Sequence, residues 1–198
     1  LAFTPSAAEI DKRPWRTYIA SPQPMPSRPI RNVLLLGAGG PMGAVTTQEL
    51  LSSYRLRVAD LRPLAAIAAE AKPQGPGAPL PVSVPAPHEE TLVDVRDQRA
   101  VMTAAAGMDA IINCTVIRHH LADAFRVNTI GAYHVMAAAV AHHIRRVVHT
   151  GPLMQHLVGY GDYSWDYDLS VEAPGRSYDH QYIHSKYLGQ EICRIFAE

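Results

Sequence analysis

Tyr182 and Lys186 are four positions apart, the spacing that sets two side chains one above the other on a helix. An ammonium beside a phenol favours the phenolate. It brings a group that titrates near pH ~10 on its own into use as an acid–base near neutrality. A second set is Gly37, Gly40 and Gly43, in the stretch RNVLLLGAGGPMG from Arg31 to Gly43. An apolar run empties into these glycines and a helical pattern follows. Such a turn lets backbone approach a phosphate with no Cβ between, and the helix start offers free N–H groups to the anion. The spacing is G-x-x-G-x-x-G, with Met42 standing where the third glycine of G-x-G-x-x-G would fall. The third candidate is Asp60, 17 positions after Gly43, at the end of RLRVA. A carboxylate there accepts from both hydroxyls of an adenosine ribose and repels a 2′-phosphate, which favours NAD over NADP. Arg62 pulls the other way. Each feature has a plainer use: a strand-to-helix turn, a helix cap at Asp60, a surface Tyr–Lys pair.

The elements that must position these groups alternate along the chain. Strands are expected at Asn32–Leu36, Arg55–Ala59, Thr91–Val95, Asp109–Asn113 and Arg146–Thr150. Helices are expected between them: Ala44–Ser53 with Val45, Leu50 and Leu51 inward, Leu64–Ala71, a helix capped by Asp97 and running to Ala106, and a long one over Leu121–His142. A last helix over Tyr178–Ala197 carries the Tyr–Lys pair. This order predicts an α/β fold with a doubly wound parallel sheet and right-handed crossovers. The Asp109–Asn113 strand is apolar enough to be buried on both faces. Cys114 to Arg118 leave it on the side where ligands gather in such sheets. Two segments break the rhythm. Lys72–Pro87 holds six prolines and two glycines and reads as a surface loop, and Gly151–Ser177, rich in glycine, tyrosine and aspartate, reads as a lid or substrate wall. Residues 1–30 carry repeated prolines without a period. They are expected as an arm outside the fold, with Trp15 and Tyr18 as anchors, or as a disordered leader.

Lys plus Arg and Asp plus Glu number 18 each, so nothing favours nucleic acid as a partner. The two cysteines, Cys114 and Cys193, make no disulfide framework, and a reduced cytoplasmic setting is expected. No run approaches the length of a membrane span and no secretory layout opens the chain. The ten histidines lack metal-ligand spacing, so no metal is expected.

Taken together, the glycine turn, the acid after the second strand, Asp94-Val95-Arg96-Asp97 after the third and Y-x-x-x-K near the end resemble the extended short-chain dehydrogenase/reductase family. Within it the pattern is similar to the NAD-dependent epimerase/dehydratase group typified by UDP-galactose 4-epimerase. The resemblance runs from Arg31 to the end and implies a Rossmann domain over residues 31–198. It implies that Gly37, Gly40, Met42 and Gly43 cradle the pyrophosphate and that Asp60 holds the adenosine ribose. Asp94 and Val95 would sit against the adenine, and Cys114 and Thr115 would line the cofactor. Arg118 would lie near the nicotinamide ribose, and Asn128, in the V-N-x-x-G segment, would support the active site. Tyr182 would be the acid–base, and Lys186 would anchor the nicotinamide ribose and tune the tyrosine.

The chain departs from this family in two respects. Pro152 takes the place of a substrate-binding serine, which leaves Thr150 as the nearest hydroxyl for a catalytic role. The family also continues for over a hundred residues past the Y-x-x-x-K helix, as a small substrate domain, whereas this sequence stops at Glu198; it is expected to be either a fragment of a longer protein or a reduced form without that half. The expected function is an NAD-dependent epimerase, dehydratase or reductase acting on a sugar nucleotide or similar hydroxyl or keto substrate. The alternative is a non-catalytic nucleotide-binding subunit or redox sensor. A homodimer is expected through apolar faces that include Val127, Ile130, Val135, Tyr187, Ile192 and Ile195.

Overall fold

The structure is a computed structural model that describes residues 29–70, 79–151 and 181–197. The N-terminal arm before Pro29, most of the 151–177 loop with Pro152, and the proposed start of the last helix lie outside the described residues. Five parallel strands form one sheet: β1 (Asn32–Leu36), β2 (Arg55–Asp60), β3 (Glu89–Leu92), β4 (Ala110–Asn113) and β5 (Val147–His149), in the order β3-β2-β1-β4-β5. The order reverses between β1 and β4, which opens a crevice at their carboxyl ends.

β1 shows why the sheet needs helices on both faces. Alternate residues point to opposite sides, so Leu34 and Leu36 join Val101, Ile111, Val135 and Ala138 in one core. Val33 and Leu35 join Leu56, Val58 and Leu64 in the other. Each such leucine removed from water contributes about 1.5–3 kcal/mol. The helices are α1 (Pro41–Leu50), α2 (Leu64–Glu70), α3 (Gln98–Ala105), α4 (Leu121–Ala124), α5 (Gly131–Ala141) and α6 (Gln181–Ala197).

Four local expectations need correction. The first helix begins at Pro41, not Ala44, because a proline at the first helical position loses no hydrogen bond there. Its inward residues are Gly43, Ala44 and Thr47, while Val45 is exposed, so small side chains bring α1 close to the sheet. β3 ends at Leu92; Val93 and Val95 are buried beyond it, and Val93 N–H still reaches Asp60 O. The long helix is interrupted by a π-helical turn over Phe125–Ile130. That extra residue turns Asn128 inward, where it is almost wholly buried.

Asp97 caps α3 as its position suggests, accepting from the N–H of Arg99 at 2.8 Å and Ala100 at 3.4 Å. α6 crosses the π turn closely. Thr129 Oγ1 donates to Ser185 O at 2.8 Å, and a Cβ on Gly189 would run into the Asn128 carbonyl oxygen. That oxygen is backbone, and the buried Ala132 Cβ lies 3.4 Å from the same point. Gly189→Ala is therefore expected to cost about 1–3 kcal/mol, read as a lowered denaturant midpoint; an unchanged midpoint would show that the crossing can relax.

Candidate functional site: an open dinucleotide crevice

A cavity of about 500 Å³ opens at the carboxyl ends of the strands. Gly37, Gly40, Asp60, Asp94, Val95, Cys114 and Thr115 line it, together with Gly39, Ile67, Arg96, Ile117 and Asp123. Gly37 holds φ +82°, and a Cβ there would lie 2.8 Å from Cys114 C and Thr115 N. Gly40 at the N-cap makes no side-chain cap bond, its own N–H donates to Gly37 O at 3.2 Å, and Pro41 that follows brings no N–H. Met42 is not among the residues that line this cavity and its side chain is exposed, and Gly43 is buried behind the turn.

Asp60 braces this turn. Oδ2 accepts from Gly39 N–H at 2.8 Å and Oδ1 from Leu61 N–H at 2.7 Å. It does not cap α2, because Glu90 on β3 accepts from Leu64 N–H at 2.8 Å. Arg62 is drawn to Glu70, 2.7 Å away, and that ion pair raises its pKa further. Arg62 lines the same cavity and feels the Asp60 charge as well, but its hydrogen-bonded partner is Glu70 and not Asp60. Arg96 grips Asp94 at 2.7 Å and reaches Asp123 at 3.2 Å, holding the Asp94 carboxyl below its ordinary range. Gly39 was legible as part of the glycine run. Ile117 falls within the expected Cys114–Arg118 turn, whereas Asp123 carries no sequence signal, because the placing of α4 brings it in.

The remaining candidates gather around α6. Asn128 Nδ2 donates to Ile117 O and Ser185 Oγ, both at 2.9 Å, and its Oδ1 accepts from Ile117 N–H at 3.0 Å. Arg118 places its guanidinium 5.7 Å from the centre of the Tyr182 ring. Thr150 donates its hydroxyl to Asn113 O at 3.2 Å. Lys186 is 2 % exposed and its Nζ has no hydrogen-bond partner among the described residues. Burial pushes its pKa down to about 8, the Cys114 and Cys193 thiols pull it back up, and Arg118 lowers it again. An orphaned buried ammonium, a crevice floored by glycines and an uncapped helix start are what a bound dinucleotide would satisfy. Among the described residues, no three His, Cys, Asp or Glu side chains converge as for a metal. No helix among them is long and apolar enough to cross a membrane.

A profile for the NAD dependent epimerase/dehydratase family matches residues 33–198. The chain belongs to that family. It is 30% identical over 179 residues to a uronate dehydrogenase from Pseudomonas putida, an alignment covering 88% of this chain and 58% of that protein. The uronate dehydrogenase from Agrobacterium tumefaciens is similar in structure, with a TM-score of 0.62 at 28% identity over 84% of this chain and 55% of that one. A variant of the same enzyme complexed with NAD gives 0.63 at 27% identity over 85% and 56%. The chain thus spans somewhat over half the length of these relatives. It has the Rossmann sheet of an NAD-dependent oxidoreductase family.

Proposed function

We propose that the protein acts as an NAD-dependent oxidoreductase on a hydroxyl-bearing sugar acid of the uronate class, through Tyr182 and Lys186. The observation that carries this reading is the buried, unpartnered Lys186 ammonium one helical turn after Tyr182. NAD, when bound, supplies the hydride acceptor. Gly37, Gly40, Met42 and Gly43 hold its pyrophosphate through backbone, Asp60 its adenosine ribose, and Asp94 and Val95 flank its adenine. Cys114, Thr115 and Arg118 line the nicotinamide end, with Asn128 bracing the loop at Ile117. Tyr182 Oη takes the proton of the substrate hydroxyl, and the Lys186 charge stabilises the resulting phenolate. Arg118, over the Tyr182 ring, adds a cation where an anionic sugar would lie, and the name borne by the relatives supports a uronate over a neutral sugar. A sugar nucleotide is the other substrate class consistent with the family.

Domain limits of 31–198 behind an N-terminal arm, a cytoplasmic setting and a homodimer belong to the same proposal. Exposed Ile130, Tyr133 and Ile195 on the π turn, α5 and α6 support the dimer, whereas Val135 is core. A non-catalytic nucleotide-binding role is the second reading, favoured by Thr150, whose proton is engaged by Asn113 O instead of facing the crevice.

The test is NADH formation from galacturonate or glucuronate by the full natural protein. Tyr182→Phe is expected to keep NAD affinity and to cut turnover by about 10²–10⁴. Undiminished turnover in the variant would remove the role. NAD binding with no turnover of any uronate or sugar nucleotide would select the second reading.

A further inference from the structure

Thr115 enters the crevice from the turn after β4, and that turn hangs on one amide. Asn113 Oδ1 accepts from Thr115 N–H at 3.1 Å and from the Thr115 hydroxyl at 2.7 Å. Two donors on one oxygen fix which way the amide faces, because the reversed amide would set its NH2 against an N–H. Asn113 Nδ2 therefore points toward β5, where His149 Nδ1 lies 3.1 Å away. An amide NH2 only donates, so Nδ1 is the acceptor and the ring proton sits on Nε2.

We propose that His149 is a positioning residue for the dinucleotide crevice: its Nδ1 lone pair holds the Asn113 amide, which holds Thr115 and the turn that lines the cofactor. This role rests on reading the crevice as the NAD site. The strands themselves do not need the ring, since β4 and β5 are already paired in register at Asn113 and His149, and Thr150 N–H reaches Asn113 O at 3.1 Å. The imidazole contributes one thing the backbone cannot, an acceptor for the inward amide. It has to be neutral to do so, and burial with the nearby Lys186 charge pushes its pKa down to about 4. Protonation would put a donor against a donor. The chain Thr115–Asn113–His149 thus ties the cofactor turn to the strand that precedes the 151–177 segment.

The test compares NAD affinity in the full chain with leucine and asparagine at position 149. His149→Leu removes the acceptor and is expected to raise the Kd for NAD about tenfold. His149→Asn can offer Oδ1 near the place of Nδ1 and is expected to recover affinity to within about threefold of the original. Equal affinity in the original and His149→Leu proteins overturns the role alone. Equal loss in both variants also overturns it, since general packing damage gives no rescue. A chain with His149 intact that binds no NAD overturns the cofactor reading and this role with it. Should His149→Leu fail to fold, ring ¹⁵N spectra of the unaltered protein decide. An Nε2-protonated neutral ring accepting at Nδ1 supports the role, and an Nδ1-protonated ring overturns it.

Discussion

Lys186→Met is expected to weaken NAD binding roughly thirtyfold while making the NAD-free protein harder to unfold below pH 8. The two effects share one cause. Lys186 holds its ammonium almost wholly away from water with no hydrogen-bond partner among the described residues, an arrangement that costs stability unless a ligand oxygen meets it. Its pKa is about 8 in the fold against 10.5 as an ordinary lysine. Below pH 8 both folded and unfolded chains carry the proton, so the full cost stands, on the order of 3 kcal/mol. Between 8 and 10.5 the unfolded chain binds more protons than the folded one, so stability rises with pH across that window. Methionine keeps the apolar stem and removes the charge. Guanidinium midpoints at pH 6.5 and pH 10.5 should show the variant ahead at the lower pH and the gap narrowed at the higher. If Lys186 binds the nicotinamide ribose as proposed, losing those charge-assisted bonds, about 2 kcal/mol, gives the thirtyfold change in Kd. An NAD affinity that ignored the substitution would mean that the ammonium does not face the cofactor.

Gly43→Ala is expected to damage fold and binding together, and Gly40→Ala only binding. A Cβ at Gly43 would run into the Gly37 carbonyl oxygen and come within 2.7 Å of Ala38 Cα and 2.8 Å of Gly37 C. All three are backbone atoms of the same turn, so no side chain can swing aside, and the turn has to open. Overpacking of that kind costs about 1–3 kcal/mol, and the displaced N–H groups would lose the pyrophosphate, raising the Kd about a hundredfold. At Gly40 a Cβ meets only Gly37 O, at 3.5 Å, an ordinary contact. That variant should melt close to the unaltered protein yet bind NAD more weakly, because the new methyl stands at the α1 N-terminus where the phosphate must approach. Thermal melts paired with NAD titrations separate the two. Identical melts for both variants would remove the distinction.

The parts of the fold that were legible in the sequence rest on local pattern. The run Val33–Leu36 into glycine, Asp60 at the end of an apolar strand and Asp97 before a helix each carry their cause within a few residues. The five alternating strands then allow few topologies. What escaped was set by partners far along the chain. Glu90 caps Leu64 across 26 residues, and Asn113 meets His149 across 36; neither pairing leaves a spacing to read. The π turn is of the same kind. FRVNTI has a plain helical pattern, and the bonds that tie the turn down run to distant partners, from Asn128 to Ile117 and Ser185 and from Thr129 to Ser185. Arg62 was ambiguous for a similar reason, because its pairing with Glu70 shows where its charge is directed and a sequence does not.

A calorimetric titration of the 198-residue chain with NAD, and separately with NADP, bears most directly on the crevice described here. Saturable one-to-one binding of NAD, at least tenfold tighter than NADP, is expected from the glycine cradle, the waiting Lys186 ammonium and the Asp60 carboxylate that a 2′-phosphate would face. A chain that is folded yet binds neither nucleotide, or that prefers NADP, would contradict that assignment.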